Sequence, residues 1–252
     1  MIKLSAVIIT FNEERNIGRC LESLRGVVDD IVVVDSFSTD NTEAICLEHG
    51  ARFVKHAFAG HIEQKNWAIT QALFPHVLSL DADEALSDEL KKSILAVKAD
   101  FKKQGYYMNR LTNYCGQWIR HSDWYPDRKL RLWDSRKGAW GGTNPHDKYM
   151  LADGDKESGW LKGDLLHYSY YSVEEHRRQT EKFAKIGANA LFQRGKRTHL
   201  LEALVRSGFK FIRTYFFKAG FLDGRAGLTI CSITAQGTWL KYRMLSALQQ
   251  HA

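Results

Sequence analysis

The chain has 252 residues, 44% of them hydrophobic and 26% charged, with three prolines. It is long enough to bury a sizeable core, and the composition excludes a disordered or low-complexity class. The net charge of +7 is uneven: residues 1–175 carry 22 Lys and Arg against 26 Asp and Glu, whereas residues 176–252 carry 14 against 3. The two parts therefore face different partners, and the basic one suits an anionic surface.

Cys20, Cys46, Cys115 and Cys231 form no CxxC pair and lack zinc-ligand spacing, which predicts buried free thiols in a reducing compartment. Met1-Ile2-Lys3-Leu4 runs straight into a strand-like segment, without the pattern of a signal peptide. No window of about 18 uncharged apolar residues occurs, so no spanning helix is expected.

Leu4–Thr10 is apolar and β-branched, the pattern of a buried parallel strand. Glu13–Leu24 places Ile17, Cys20, Leu21 and Leu24 at helical spacing. Ile31–Val34 reads as a second buried strand. A helix follows from the capping residues Ser38-Thr39-Asp40-Asn41 to His49, where Gly50 stops it. Ala51–Lys55 is a third strand, His61–Leu73 a helix, Val77–Leu80 a fourth strand, and Ser87–Val97 a helix capped by Ser87. Further on, Tyr106–Leu111, Lys129–Trp133 and Leu165–Tyr170 read as strands. Val173–Phe192, Leu200–Phe217 and Ala226–Leu248 read as helices.

Four strand–helix alternations in the first hundred residues predict an α/β fold, a doubly wound and mostly parallel sheet flanked by helices. The expected domains are a catalytic one over 1–172 and a basic, amphipathic helical extension over 173–252. In such sheets ligands bind at the carboxyl ends of strands. The polar residues gather there: Thr10-Phe11-Asn12-Glu13, Asp35-Ser36 and Asp81-Ala82-Asp83-Glu84. The last group crowds three carboxylates into four residues, and like charges require compensation by water, a basic neighbour or a metal. Hard oxygen ligands in Asp81-x-Asp83 suit Mg²⁺ or Mn²⁺ together with diphosphate oxygens. An acidic cluster favoured by the N-terminus of the following helix is the alternative.

Taken in order, VIITFNE (7–13), VVVDSFSTDNT (32–42), the helical Gln64-Lys65-Asn66 and LSLDADE (78–84) resemble the nucleotide-sugar domain of the family 2 glycosyltransferases, of GT-A fold. The match spans residues 4–170, with Phe37 where glycine is common. The resemblance implies that Thr10, Asn12 and Glu13 line the uridine and ribose, and that Asp35 accepts from the uracil N3–H. Lys65, with Gln64, stands near the nucleotide. Asp81 approaches the ribose or metal, and Asp83 holds a divalent metal on the diphosphate. His167 resembles a further metal ligand, against the alternative of a core histidine. In WGGTNPHDK (140–148) the family carries an acidic residue after His, which makes Asp147 the base, with His146 and Asp127 in reserve. Arg128 or Arg131 is a candidate for neutralising the leaving diphosphate, since a guanidinium matches phosphate geometry.

The last third interleaves Phe209, Phe211, Tyr215, Phe216, Phe217 and Phe221 with Arg206, Lys210, Arg213, Lys218 and Arg225. This pattern suits an interfacial element on an anionic membrane, or helices packed on the catalytic domain with a solvated basic face. No nucleic-acid motif accompanies it, so nucleic acid is not an expected partner. GFLDGRAGL (220–228) and the helical tail resemble the lipopolysaccharide core glucosyltransferases, which add a β-1,4-linked glucose to an inner-core heptose. The resemblance as a whole implies an inverting, metal-assisted transfer of glucose from a UDP-sugar. It likewise implies a membrane glycolipid as acceptor and a peripheral position on the inner face of the cytoplasmic membrane. The other classes are a nucleotidyltransferase, whose Gly-rich phosphate loop is absent here, and a non-catalytic membrane scaffold that keeps the fold.

Overall fold

The computed structural model describes residues 1–143 and 146–250, and for Thr143 and His146 the backbone only. The chain divides into two compact units, residues 1–110 with 127–168, and residues 111–126 with 169–252. Residues 111–126, assigned on sequence to the first domain, thus group with the helical part.

The first unit opens with β1 (Leu4–Thr10), α1 (Ile17–Leu24), β2 (Asp30–Asp35), α2 (Thr42–Glu48), β3 (Arg52–Lys55), α3 (His61–Ile69) and β4 (His76–Asp81). β5 (Glu84–Leu86) and α4 (Asp88–Ala99) follow, and then β6 (Gly105–Tyr114). After β7 (Gln117–Ile119) come β8 (Asp127–Asp134), β9 (Gly138–Thr143), β10 (His146–Leu151) and β11 (Ser158–Tyr170). The main sheet runs β3-β2-β1-β4-β8-β6-β11-β5. β3, β2, β1 and β4 are parallel. β8 runs antiparallel to β4 and β6, and β5 antiparallel to β11. β9 and β10 form a separate antiparallel ribbon.

Alternation along the strands covers both faces of the sheet, as side chains at successive positions must. Leu4, Ala6 and Ile8 of β1 and Val33 of β2 pack with Ile17, Leu21 and Leu24 of α1 and with Leu90 and Ile94 of α4. Val7, Val32 and Val34 face the other way, onto Ala68 of α3 and the aromatic group Trp133, Trp140 and Tyr149. Trp133 stacks on Tyr149 with centroids 3.8 Å apart, which fixes the β9–β10 ribbon over that face. Ser87 caps α4 by accepting from the Leu90 N–H at 3.3 Å, as its sequence predicted. The expected helix from Glu13 begins only at Ile17, because Glu13–Asn16 form a turn in which Asn16 and Ile17 donate to the Glu13 carbonyl. The three-residue β5 has no periodicity long enough to read in the sequence.

The second unit contains the β6–β7 hairpin end, α5 (Val173–Gln193), α6 (Leu200–Ile212), a π-helical turn at Arg213–Phe217 and α7 (Gly224–Gln250). α7 packs on both α5 and α6. Ser172 and Glu175 close α5 with a reciprocal capping box. GFLDGRAGL is a lock here. The buried Asp223 carboxylate accepts from the backbone N–H groups of Arg120 and His121 at 3.2 and 2.9 Å, and His121 Nδ1 lies 2.9 Å away. A Cβ on Gly227 would stand 1.9 Å from the Gly220 carbonyl oxygen, so only glycine permits this approach. Among the described residues no helix is long and apolar enough to cross a membrane. All four cysteines are free; Cys115 is exposed rather than buried.

Candidate active site

Strand register brings the predicted residues to one end of the parallel half-sheet. Thr10 pairs with Asp35 across β1 and β2, and Ile9 pairs with Asp81 across β1 and β4. The loops after β1 and β2 are zipped together. Asn12 donates its N–H to Ser38 Oγ at 2.7 Å, and its Oδ1 accepts from the Thr39 N–H at 2.8 Å. The Glu13 N–H donates to Thr42 Oγ1 at 2.8 Å, and the Glu14 N–H to Asp40 Oδ2 at 3.1 Å. Asp35, fully buried, accepts from the Ser38 N–H at 2.7 Å and from the Ser38 hydroxyl. Its carboxylate therefore shapes its own loop. Thr10 Oγ1 is buried with no hydrogen-bond partner among the described residues, a donor available to a ligand. Phe37, the departure from the family pattern, has φ +63°. Glycine is common there because the loop needs a left-handed residue, a conformation unfavourable for a bulky side chain.

The three carboxylates of DADE are compensated separately. The sequence pointed to a divalent cation; the structure supplies basic side chains for two of them. Asp81 Oδ2 accepts from Arg131 at 2.6 Å, and its Oδ1 lies 3.0 Å from Lys65 Nζ. Burial opposes ionisation of Asp81, but Arg131 and Lys65 outweigh it and hold the carboxyl well below the usual range. Glu84, which sequence reading treated only as a third charge, is the keystone. It is inaccessible, accepts from the Asp81 N–H at 2.9 Å and from Arg131 at 2.8 Å, and lies 3.4 Å from Arg110. Its signal was available in the acidic run, but its partners are 26 and 47 residues away.

Asp83 faces His167, with Oδ2 3.1 Å from Nε2. β5 and β11 make that meeting possible, since Glu84 registers with His167 and the Tyr168 N–H donates to the Asp83 carbonyl at 2.9 Å. Glu13 stands in the same field. Burial, and then the charges of Asp83, Asp40 and Asp81, raise its carboxyl above the ordinary value against a hydrogen bond from Asn16. No group of three or more His, Cys, Asp or Glu side chains suited to a metal occurs among the described residues. Asp83, with His167 Nε2 at 3.1 Å, nonetheless fits Mg²⁺ or Mn²⁺, which are commonly held by one or two carboxylates together with water and phosphate oxygens.

Asp147 reaches this centre from the β10 ribbon. Its Oδ2 lies 2.8 Å from Lys65 Nζ, so Lys65 joins Asp147 to Asp81. Lys65 is buried rather than solvated, 4.5 Å from the centroid of the Trp140 ring. Gln64 supports the same corner, donating to Ser36 Oγ at 3.2 Å with its Oε1 2.8 Å from His56 Nδ1. Of the reserve bases, Asp127 is held by Arg110 at 2.8 Å and Lys129 at 3.1 Å, and the His146 side chain lies outside the described residues. Arg131 belongs to the centre, whereas the Arg128 guanidinium sits over Trp160 at 5.4 Å.

The profile of glycosyl transferase family 2 matches residues 5–198. The chain belongs to this family. Among its relatives is an uncharacterized glycosyltransferase of Rickettsia typhi, 27% identical over 98% of this chain and 88% of the relative. The lipopolysaccharide core biosynthesis glycosyltransferase LpsC of Rhizobium meliloti is 26% identical over 96% of this chain and 94% of its own length. Among solved structures, S. aureus TarS residues 1–349 in complex with UDP aligns with a TM-score of 0.48 at 14% identity, covering 100% of this chain and 92% of that one. The protein is thus a glycosyltransferase, similar to one named for lipopolysaccharide core biosynthesis.

Proposed function

We propose that this glycosyltransferase transfers a hexose, glucose by resemblance, from a UDP-sugar to a hydroxyl of a membrane glycolipid of the lipopolysaccharide-core type, with inversion. The observation that carries the reading is the single Lys65 ammonium between Asp81 and Asp147, at 3.0 and 2.8 Å. It ties an acidic side chain from the β10 ribbon to the end of the parallel sheet, where family members bind the donor. Asp147 accepts the proton of the acceptor hydroxyl as that oxygen attacks the anomeric carbon, and the sugar–phosphate bond breaks on the opposite side. Lys65 and Arg131 lie where the diphosphate develops charge and stabilise it electrostatically. Thr10, Asn12, Glu13 and Asp35 form the nucleoside end.

A divalent metal would be held by Asp83 and His167 and would supply Lewis-acid neutralisation of the leaving diphosphate. The acceptor class is supported by the 26% identity to LpsC over nearly the whole chain. The same likeness, with the basic last third, supports a peripheral position on the inner face of the cytoplasmic membrane.

The test is thermal unfolding across UDP-, GDP-, CMP- and dTDP-sugars, with and without Mn²⁺, since a ligand bound only to the native state raises the midpoint. A metal-dependent rise with one UDP-sugar is expected. No rise with any nucleotide sugar in folded protein would refute the reading. A product that keeps the donor's anomeric configuration would remove Asp147 from the role of simple base.

A further inference from the structure

α6 is inside out for a helix of a water-soluble unit. Of its thirteen residues only Ala203 is buried, while Leu201, Leu204, Phe209 and Ile212 are exposed. The stripe continues through the π-helical turn to Phe217 and on to Leu222, and these six side chains are between 47% and 77% exposed. A contiguous apolar band of this kind marks an interaction surface. Its middle is not flat. An apolar cleft of about 560 Å³ opens between α6 and α7, lined among others by Leu204, Phe211 and Trp239. Gly208 borders it, and a Cβ there would meet nothing within 4 Å.

The charge beside the band chooses the occupant. Lys210, Arg213 and Lys218 converge on one carboxylate, Asp123, at 3.9, 2.9 and 3.3 Å. Three cations on one anion leave two positive charges in surplus next to Phe217. Asp123 is held in place by its loop, since the Ser122 N–H donates to the Lys218 carbonyl at 3.0 Å and the Asp223 lock fixes Arg120 and His121. Residues 176–252 as a whole, these three included, carry 14 basic against 3 acidic side chains. A second copy of this chain would bring like charges together, whereas a bilayer rich in anionic phospholipid meets both the apolar band and the cations.

We infer that α6 and the π-helical turn after it form the membrane-docking face of this protein, inserting the Leu201–Leu222 band among acyl chains and setting Lys210, Arg213 and Lys218 on the phosphates of anionic lipids. The inference deepens the proposed glycolipid-acceptor reading and rests on it for its biological sense.

The experiment is vesicle flotation of the full-length protein, with phosphatidylglycerol-containing vesicles beside pure phosphatidylcholine. Wild type is expected to partition at least tenfold better onto the anionic vesicles. A variant carrying Leu204→Ser, Phe209→Ser and Phe217→Ser is expected to lose flotation. A Lys210→Ala, Lys218→Ala variant is expected to fall roughly 25-fold, at about fivefold per basic residue. Equal binding to both vesicles, or no binding by wild type, overturns the inference. So does a lipid-independent dimer in sedimentation that the triple-serine variant abolishes. The thermal response to nucleotide sugars, measured without lipid on the same proteins, separates the two readings. Failure of wild type to bind anionic vesicles with an intact donor response sinks only the docking face, and vesicle binding by wild type with no donor response sinks only the transfer reaction.

Discussion

Acidification is expected to weaken the helical unit through one buried imidazole. His176 is 4% exposed, with Nδ1 3.1 Å from the Tyr114 hydroxyl. It sits among the rings of Tyr114, Trp124 and Tyr170, at centroid distances of 5.3, 5.6 and 4.7 Å. Burial pushes its pKa down from 6.5 to about 4. A histidine depressed in the folded state contributes stability that is fully present above the unfolded value and is lost as pH falls from about 6.5 toward about 4. For this displacement, proton linkage removes about 2 kcal/mol between pH 7 and pH 5. The assay is urea unfolding at both pH values for wild type and His176→Gln. Comparing the losses cancels the carboxylates common to the two proteins, and wild type is expected to lose about 2 kcal/mol more than the variant. Equal losses would show that the imidazole is not held neutral, and would refute the reasoning from its burial.

Other consequences follow from the site. On the proposed reading, in which Asp83 and His167 hold a metal, Asp83→Asn and His167→Ala are each expected to reduce transfer by at least about 100-fold, as loss of a metal ligand exceeds the 10–100-fold effect of its supporting partners. Far-ultraviolet circular dichroism should be unchanged, and a variant with full activity would remove the metal from the reaction. Arg131→Leu leaves Asp81 and Glu84 short of their shared partner, so chemical unfolding should show a loss of about 3–5 kcal/mol; a loss below about 1 kcal/mol would mean that Lys65 and Arg110 suffice. Phe37→Gly is expected to be neutral or stabilising by up to about 1 kcal/mol, because relief of left-handed strain, about 1–2 kcal/mol, exceeds the entropic cost of glycine, about 0.5–1 kcal/mol. A lower unfolding midpoint for that variant would indicate that the Phe37 side chain makes a stabilising contact.

The parallel half of the sheet was legible in the sequence because its signal is local. β-branched runs, helix caps and the polar residues at strand ends declare β1 to β4, the helices between them, and the end of the sheet where the candidate site residues gather. The ordered motifs made the family legible for the same reason. Lys65 and Asp147 stand 82 residues apart, and no local pattern announces that a buried ammonium joins them. Glu84 looked like one charge among three, and only the strand order that brings β8 beside β4 gives it Arg131. Asp83 and His167 meet because β5, too short to register as a strand, pairs with β11. Hydropathy spacing showed that α6 has an apolar side, since a period of 3.6 is a property of the chain alone. Which side meets water is decided by what the rest of the unit covers. In this protein α7 packs on α6 with Ala203 as the one buried residue of α6, and Leu201, Leu204, Phe209 and Ile212 stay exposed, because packing is settled by neighbours distant in sequence.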